Sequence, residues 1–150
     1  MITSRKRVTV VVALAIALAV TPALSGCSVI KGVIEQQTGG SVDLGGKSIP
    51  KDFPTADVPL VDGEVIYGAG IKSSDGQVWN VTIKVADISA FDTIKSKLEG
   101  AGFTATDGVS GTTSDGSTGV FQSDKYGVVV VVTKDPKEGA VANYTVTTKQ

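Results

Sequence analysis

Histidine is absent from the 150 residues, and cysteine, methionine and tryptophan each occur once. The first absence removes the side chain most often used as a general base near neutral pH and as a zinc ligand. A lone thiol can neither close an internal disulfide nor supply a paired-cysteine metal site. Both arginines, Arg5 and Arg7, lie within the first ten residues, so the remainder lacks the planar fork that grips phosphate bidentately. Beyond Gly26 stand eleven lysines against fifteen acids, a formal charge of −4. Mild acidity without arginine repels a phosphate backbone, and no nucleic-acid partner is expected.

What chemistry remains must rest on carboxylates, lysine or a bound ion, and no arrangement of them stands out. The loop Asp107 to Gly119 is rich in glycine, but phosphate-cradling loops pair with a lysine and a following helix, and here an extended segment follows. It reads as a mobile hairpin connection. Asp75-Gly76, Asp107-Gly108 and Asp115-Gly116 lack the ladder of acids that a calcium loop needs. Ser48-Ile49-Pro50-Lys51 has the spacing of a serine–lysine pair, yet its proline forbids the helical turn that would join the two. Asn80-Val81-Thr82 and Asn143-Tyr144-Thr145 match a glycosylation sequon but fall inside expected strands. Trp79, Tyr67, Tyr126 and Tyr144 could form a binding surface or serve as core and cross-strand partners. Glu64 and Asp87 are carboxylates for a weak hydrolase, although no second acid pairs with either on one strand face. The chain is expected to be no enzyme, with no catalytic residue, metal or cofactor.

The one long uncharged run is Val8 to Val20, preceded by Arg5-Lys6-Arg7 and ended by Pro22. A basic head, a short apolar middle and small residues at the end form the layout of a secretory signal peptide. Thirteen residues fall short of the roughly 20 that a spanning helix requires.

Immediately after this run, Leu24-Ser25-Gly26-Cys27 resembles the lipobox of bacterial lipoproteins. The resemblance covers residues 1 to 27. It implies that residues 1–26 are a leader cut between Gly26 and Cys27, and that the Cys27 thiol carries a diacylglyceryl group. It further implies palmitate-like acylation of the new terminus and attachment to the extracytoplasmic face of the cell membrane. Small side chains at Ser25 and Gly26 would let a peptidase reach the bond, and a thiol is a good nucleophile for lipid transfer. Each buried methylene contributes about 0.8 kcal/mol, and two or three acyl chains anchor where one does not.

Residues 27–63 read as a tether. Val29, Ile30, Val33 and Ile34 repeat at helical spacing for two turns, a short helix or a frayed segment. Gly39, Gly40, Gly45 and Gly46 are expected to break any continued order. Pro50, Pro54 and Pro59 force an extended path, and the apolar Ile49, Phe53, Val58 and Leu60 are expected to lie against the domain surface. This Pro-Phe-Pro, Val-Pro-Leu stretch is similar to the lead-in segment of small cell-envelope lipoproteins of unknown function from high-GC Gram-positive bacteria. That likeness implies no activity.

Residues 64–150 read as a small α+β domain. Segments 64–71 and 77–86 flank an Asp-Gly turn and predict a hairpin, with Trp79, Val81, Ile83 and Val85 on its buried face. Asp87 or Ser89 can cap a helix to about Ala101 with Phe91, Ile94 and Leu98 on one stripe, closed by Gly102. Extended segments follow at 103–106, 119–123, 126–133 and 143–148. The five valines Val128 to Val132 show no alternation, as expected of a strand covered on both faces or central in the sheet. The fold class is therefore an antiparallel sheet with one helix packed on one face; an all-β sandwich with a peripheral helix is the alternative. The functional expectation is a lipid-anchored, non-catalytic interaction module whose partner is a membrane through Cys27 and an unspecified envelope component. The alternative is a carrier of a small apolar ligand or lipid between sheet and helix.

Overall fold

The computed structural model describes residues 40–150. Gly26, Cys27, the leader and the apolar repeat around Val33 lie outside the described residues. What is described is an antiparallel sheet of eight strands crossed by one helix. In chain order these are β1 (Ser41–Gly46), β2 (Glu64–Ser73), β3 (Gly76–Val85), α1 (Ala90–Gly100), β4 (Thr104–Ala105), β5 (Gly111–Thr112), β6 (Gly116–Gln122), β7 (Tyr126–Asp135) and β8 (Gly139–Thr148). Spatially the sheet runs β1-β2-β3-β8-β7-β6-β4, and β5 also pairs with β6. Among the described residues no helix is long and apolar enough to cross a membrane.

Local chemistry explains the turns. β2 and β3 meet at Ser74-Asp75, and Gly76 takes φ +133°, which a side chain would resist. The Asp135 carboxylate accepts from the N–H groups of Lys137 and Glu138 at 2.8 and 2.9 Å, closing the β7–β8 turn ahead of Gly139 at φ +84°. At the N-terminus of α1 the expected side-chain cap is not formed. Ser89 occupies the cap position without a side-chain cap bond, and the Asp87 carboxylate accepts from the Ser89 N–H at 2.7 Å. The other end follows expectation: Gly102 at φ +88° lets its N–H reach Glu99 and the Phe103 N–H reach Leu98, both at 3.0 Å, while Leu98 and Phe103 are buried.

One face of the sheet is the core face. Trp79, Val81 and Ile83 on β3 stand opposite Val146, Tyr144 and Ala142 on β8, which in turn face Val128, Val130 and Val132 on β7. All nine are buried. The helix lays Phe91, Ile94 and Leu98 over this face, and side chains fill that interface. A Cβ on Gly119 would meet Phe91 Cζ at 2.7 Å, so the absence of a side chain there lets the helix sit down. An apolar ligand held between sheet and helix would have to displace these residues.

The Pro-rich segment covers the other half of the core face. It does more than lie on the surface: Phe53 and Val58 are buried in the same cluster as Trp79 and Tyr144. Phe53 and Tyr126 each meet the Trp79 ring edge-on, with centroids 6.1 and 6.2 Å away. Gly68 and Gly70 on β2 admit this packing, since a Cβ at Gly68 would lie 1.9 Å from the Ser48 carbonyl oxygen. Nor do the glycines at 45 and 46 end order. Ser41–Gly46 is an edge strand paired to β2, with a register shift between Asp43 and Gly46 that its glycines accommodate.

The valine run is central between β6 and β8 but is not covered on both faces. Val128, Val130 and Val132 are buried, whereas Val129 is 39% exposed.

Candidate functional site

Alternation along each strand fixes what the second face presents. One row across it reads Tyr67, Thr82, Asn143, Val131 and Thr118; the next reads Ala69, Asn80, Thr145, Val129 and Val120. No helix lies over these rows among the described residues, and Tyr67, Ile71, Val78 and Val129 stay 46, 40, 41 and 39% exposed. Charged side chains gather at one end of this face, where Glu64 stands opposite Lys84 and Lys84 also pairs with Glu138 at 3.7 Å.

The centre of this face is a closed polar network. Two Asn-x-Thr tripeptides on adjacent antiparallel strands place Asn80 opposite Thr145 and Thr82 opposite Asn143. The Asn80 amide donates to Asn143 Oδ1 at 3.2 Å and to Thr145 Oγ1 at 3.0 Å. The Asn143 amide donates to Asn80 Oδ1 at 3.0 Å and to Thr82 Oγ1 at 2.8 Å. All four amide N–H bonds are thereby used within the face. Each Oδ1 keeps a spare lone pair, and the two hydroxyls keep their own protons.

At one margin, the glycine-rich stretch is partly ordered as β5. Thr113 N–H donates to the Gly116 carbonyl at 2.8 Å, and the Ser117 hydroxyl bonds Thr112 Oγ1 at 3.2 Å. Between this arm and β7 lies a cleft of about 600 Å³, whose lining includes Val109, Thr118, Val131 and Thr133. A second depression, about 430 Å³, lies by Ile88, Lys134 and Ala140.

Elsewhere several ionisable groups are engaged in local structure. The Lys97 ammonium, 3.0 Å away, holds the Asp62 carboxyl below its ordinary value. Hydrogen bonds from Ser89 do the same for Asp87, and those from Glu138 and Lys137 for Asp135. Burial pushes the Tyr144 phenol well up, against a smaller opposing effect of the Val61 N–H. Trp79 Nε1 is buried without a hydrogen-bond partner among the described residues, beside a space of about 10 Å³ whose lining includes Asp43, Asp52 and Gln77, enough for about one water. Among the described residues no three Asp, Glu, His or Cys side chains gather as a metal site.

The aromatic quartet is split. Trp79 and Tyr144 are core, Tyr126 packs against the core, and Tyr67 alone stands on the open face. Glu64 faces Lys84, and Asp87 is spent on the turn before α1. The asparagine–threonine network was present in the sequence as two sequon-like tripeptides, each with Asn and Thr two residues apart on one strand face. Only the register of β3 against β8 makes them a unit. No protein family, curated protein or solved structure matches the chain.

Proposed function

We propose that the chain is an exported lipoprotein held by lipid on Cys27 at the outer face of the cell membrane, where its domain serves as a non-catalytic binding module. Anchoring is supported by Arg5-Lys6-Arg7, the short apolar run and Leu24-Ser25-Gly26-Cys27. Binding is supported by the open face, the observation that carries this reading. A sheet surface that is uncharged at its centre, with exposed Tyr67, Ile71, Val78 and Val129 around a satisfied amide pair, can be covered at little polar cost. Asp87 and Asp135 are tied to backbone N–H groups and Asp62 to a lysine, in keeping with structural roles for these three carboxylates.

Two measurements test it. Cys27→Ser should release the chain from the detergent phase and abolish labelling by radioactive palmitate; unchanged membrane retention would refute the anchor. A photo-crosslinking amino acid at Val129 should capture a defined partner on intact cells, whereas one at Glu99, on the far side of α1, should not. Equal capture at both positions would refute the open face as the binding surface.

A further inference from the structure

We infer that the open face docks a second copy of this chain about a two-fold axis running along the strands between β3 and β8, an inference that rests on the binding role given to that face. Four residues form a square at its centre: Asn80 and Thr82 on β3, Thr145 and Asn143 beside them on β8. Asparagines occupy one diagonal and threonines the other. Turning a copy over about that axis exchanges the β3 and β8 columns, so each asparagine of one copy faces a threonine of the other. The groups left free match this arrangement. Each Asn Oδ1 accepts one bond within the chain and has room for another. Each Thr Oγ1 accepts from an amide, and its own O–H has no acceptor among the described residues. Donor therefore meets acceptor four times, as a self-complementary isologous contact requires.

The flanks obey the same operation. The strand order β2-β3-β8-β7 is symmetric about the axis, so Tyr67 of one copy comes over Val131 of the other, and Ala69 over Val129. Apolar flank meets apolar flank, and polar centre meets polar centre. The charged groups Glu64, Lys84 and Glu138 gather at one end of the face, clear of the central square, so the charge of the two copies meets at that margin rather than within the contact's centre. Five strands about 4.8 Å apart and roughly seven residues long give a footprint of about 24 Å by 24 Å. With side-chain relief that approaches the ~800 Å² per partner of a stable dimer. Two sheets facing at about 10 Å form the sandwich arrangement common among antiparallel sheets. Tyr67 and the valines would supply its apolar contacts, while the pre-satisfied amides avoid leaving buried N–H groups unpaired.

The test uses the full chain in membranes of the producing cell. Tyr67→Cys and Val131→Cys lie on strands separated by two others, too far apart to bridge within one copy. The double variant should give a disulfide-linked dimer on mild oxidation, while the wild type and each single variant should not. In parallel, the full chain carrying Cys27→Ser should sediment as a dimer. Val129→Lys, which forces a charge into the contact, should weaken that dimer at least about 100-fold while leaving the melting temperature of the dilute, dissociated chain unchanged. A chain still monomeric at about 100 μM would overturn the inference, as would a dimer insensitive to Val129→Lys. If the chain is monomeric and the crosslinker at Val129 captures a different protein, self-association falls while the binding role of the face stands. If it captures nothing, both fall.

Discussion

The phenolic oxygen of Tyr144 accepts a hydrogen bond from the Val61 N–H at 3.0 Å, joining β8 to the Pro-rich segment across 83 positions of the chain. Tyr144 is fully buried at the middle of the core face, so this bond locks the end of the segment onto the sheet. Tyr144→Phe keeps the ring and removes the acceptor. It should destabilise the fold by about 1–3 kcal/mol, the range for leaving a donor unpaired. Denaturant unfolding should show a lower midpoint at an unchanged slope, and exchange of the Val61 amide should accelerate more than that of β7 amides.

Phe53 tests whether the Pro-rich segment is part of the folded body. Its ring is 6% exposed and meets the Trp79 ring edge-on at 6.1 Å. Phe53→Ala should cost about 3–5 kcal/mol, as expected for emptying a buried aromatic site. Trp79 is the sole tryptophan, so its fluorescence reads the event directly. Emission of the native variant should shift to longer wavelength as water reaches the indole. Stability and emission matching the wild type would show that the segment is merely laid alongside.

Much of the sheet and helix was legible because alternation and spacing speak directly about burial. Trp79, Val81, Ile83 and Val85 alternate, Phe91, Ile94 and Leu98 share a stripe, and all seven are buried. Three features were not legible. The strand Ser41–Gly46 has a composition that favours loops, and it exists because β2 offers an unpaired edge beside it. The open face of β7 was hidden by an uninterrupted valine run, which hydrophobicity alone cannot separate into an inner and an outer side. The asparagine–threonine square depended on register, a property of two strands that neither sequence segment carries alone.

Gly119 marks where α1 meets the sheet. A Cβ there would lie 2.7 Å from Phe91 Cζ and 2.9 Å from Phe121 Cε2, closer than real contacts allow. Gly119→Ala should therefore destabilise by about 1–3 kcal/mol, in the manner of an overpacked core. Gly100, the last residue of α1, has nothing within 4 Å of the same position. Gly100→Ala should be stabilising by about 0.4–1 kcal/mol, because the unfolded chain loses freedom and the folded one gains no clash. Melting curves of the two variants should move in opposite directions; a common direction would contradict the packing of α1 on β6.

Asp135 gives the fold a defined acid sensitivity. Its carboxylate accepts from the N–H groups of Glu138 and Lys137, and these bonds hold its folded value below the ordinary 3.8. A depressed folded value means that, below 3.8, the unfolded chain binds the proton first. The contribution is complete above that range and disappears as pH falls through the folded value. Asp135→Asn keeps a side-chain oxygen in the turn but cannot titrate. Stability measured by denaturant from pH 7 down to pH 2 should decline less steeply for the variant below about pH 4, where an ordinary aspartate takes up its proton. Asp62 and Asp87 are depressed in the same way, so the variant should retain a shallower slope of the same sign. Identical slopes in the two proteins would mean that the β7–β8 turn does not depend on this charge.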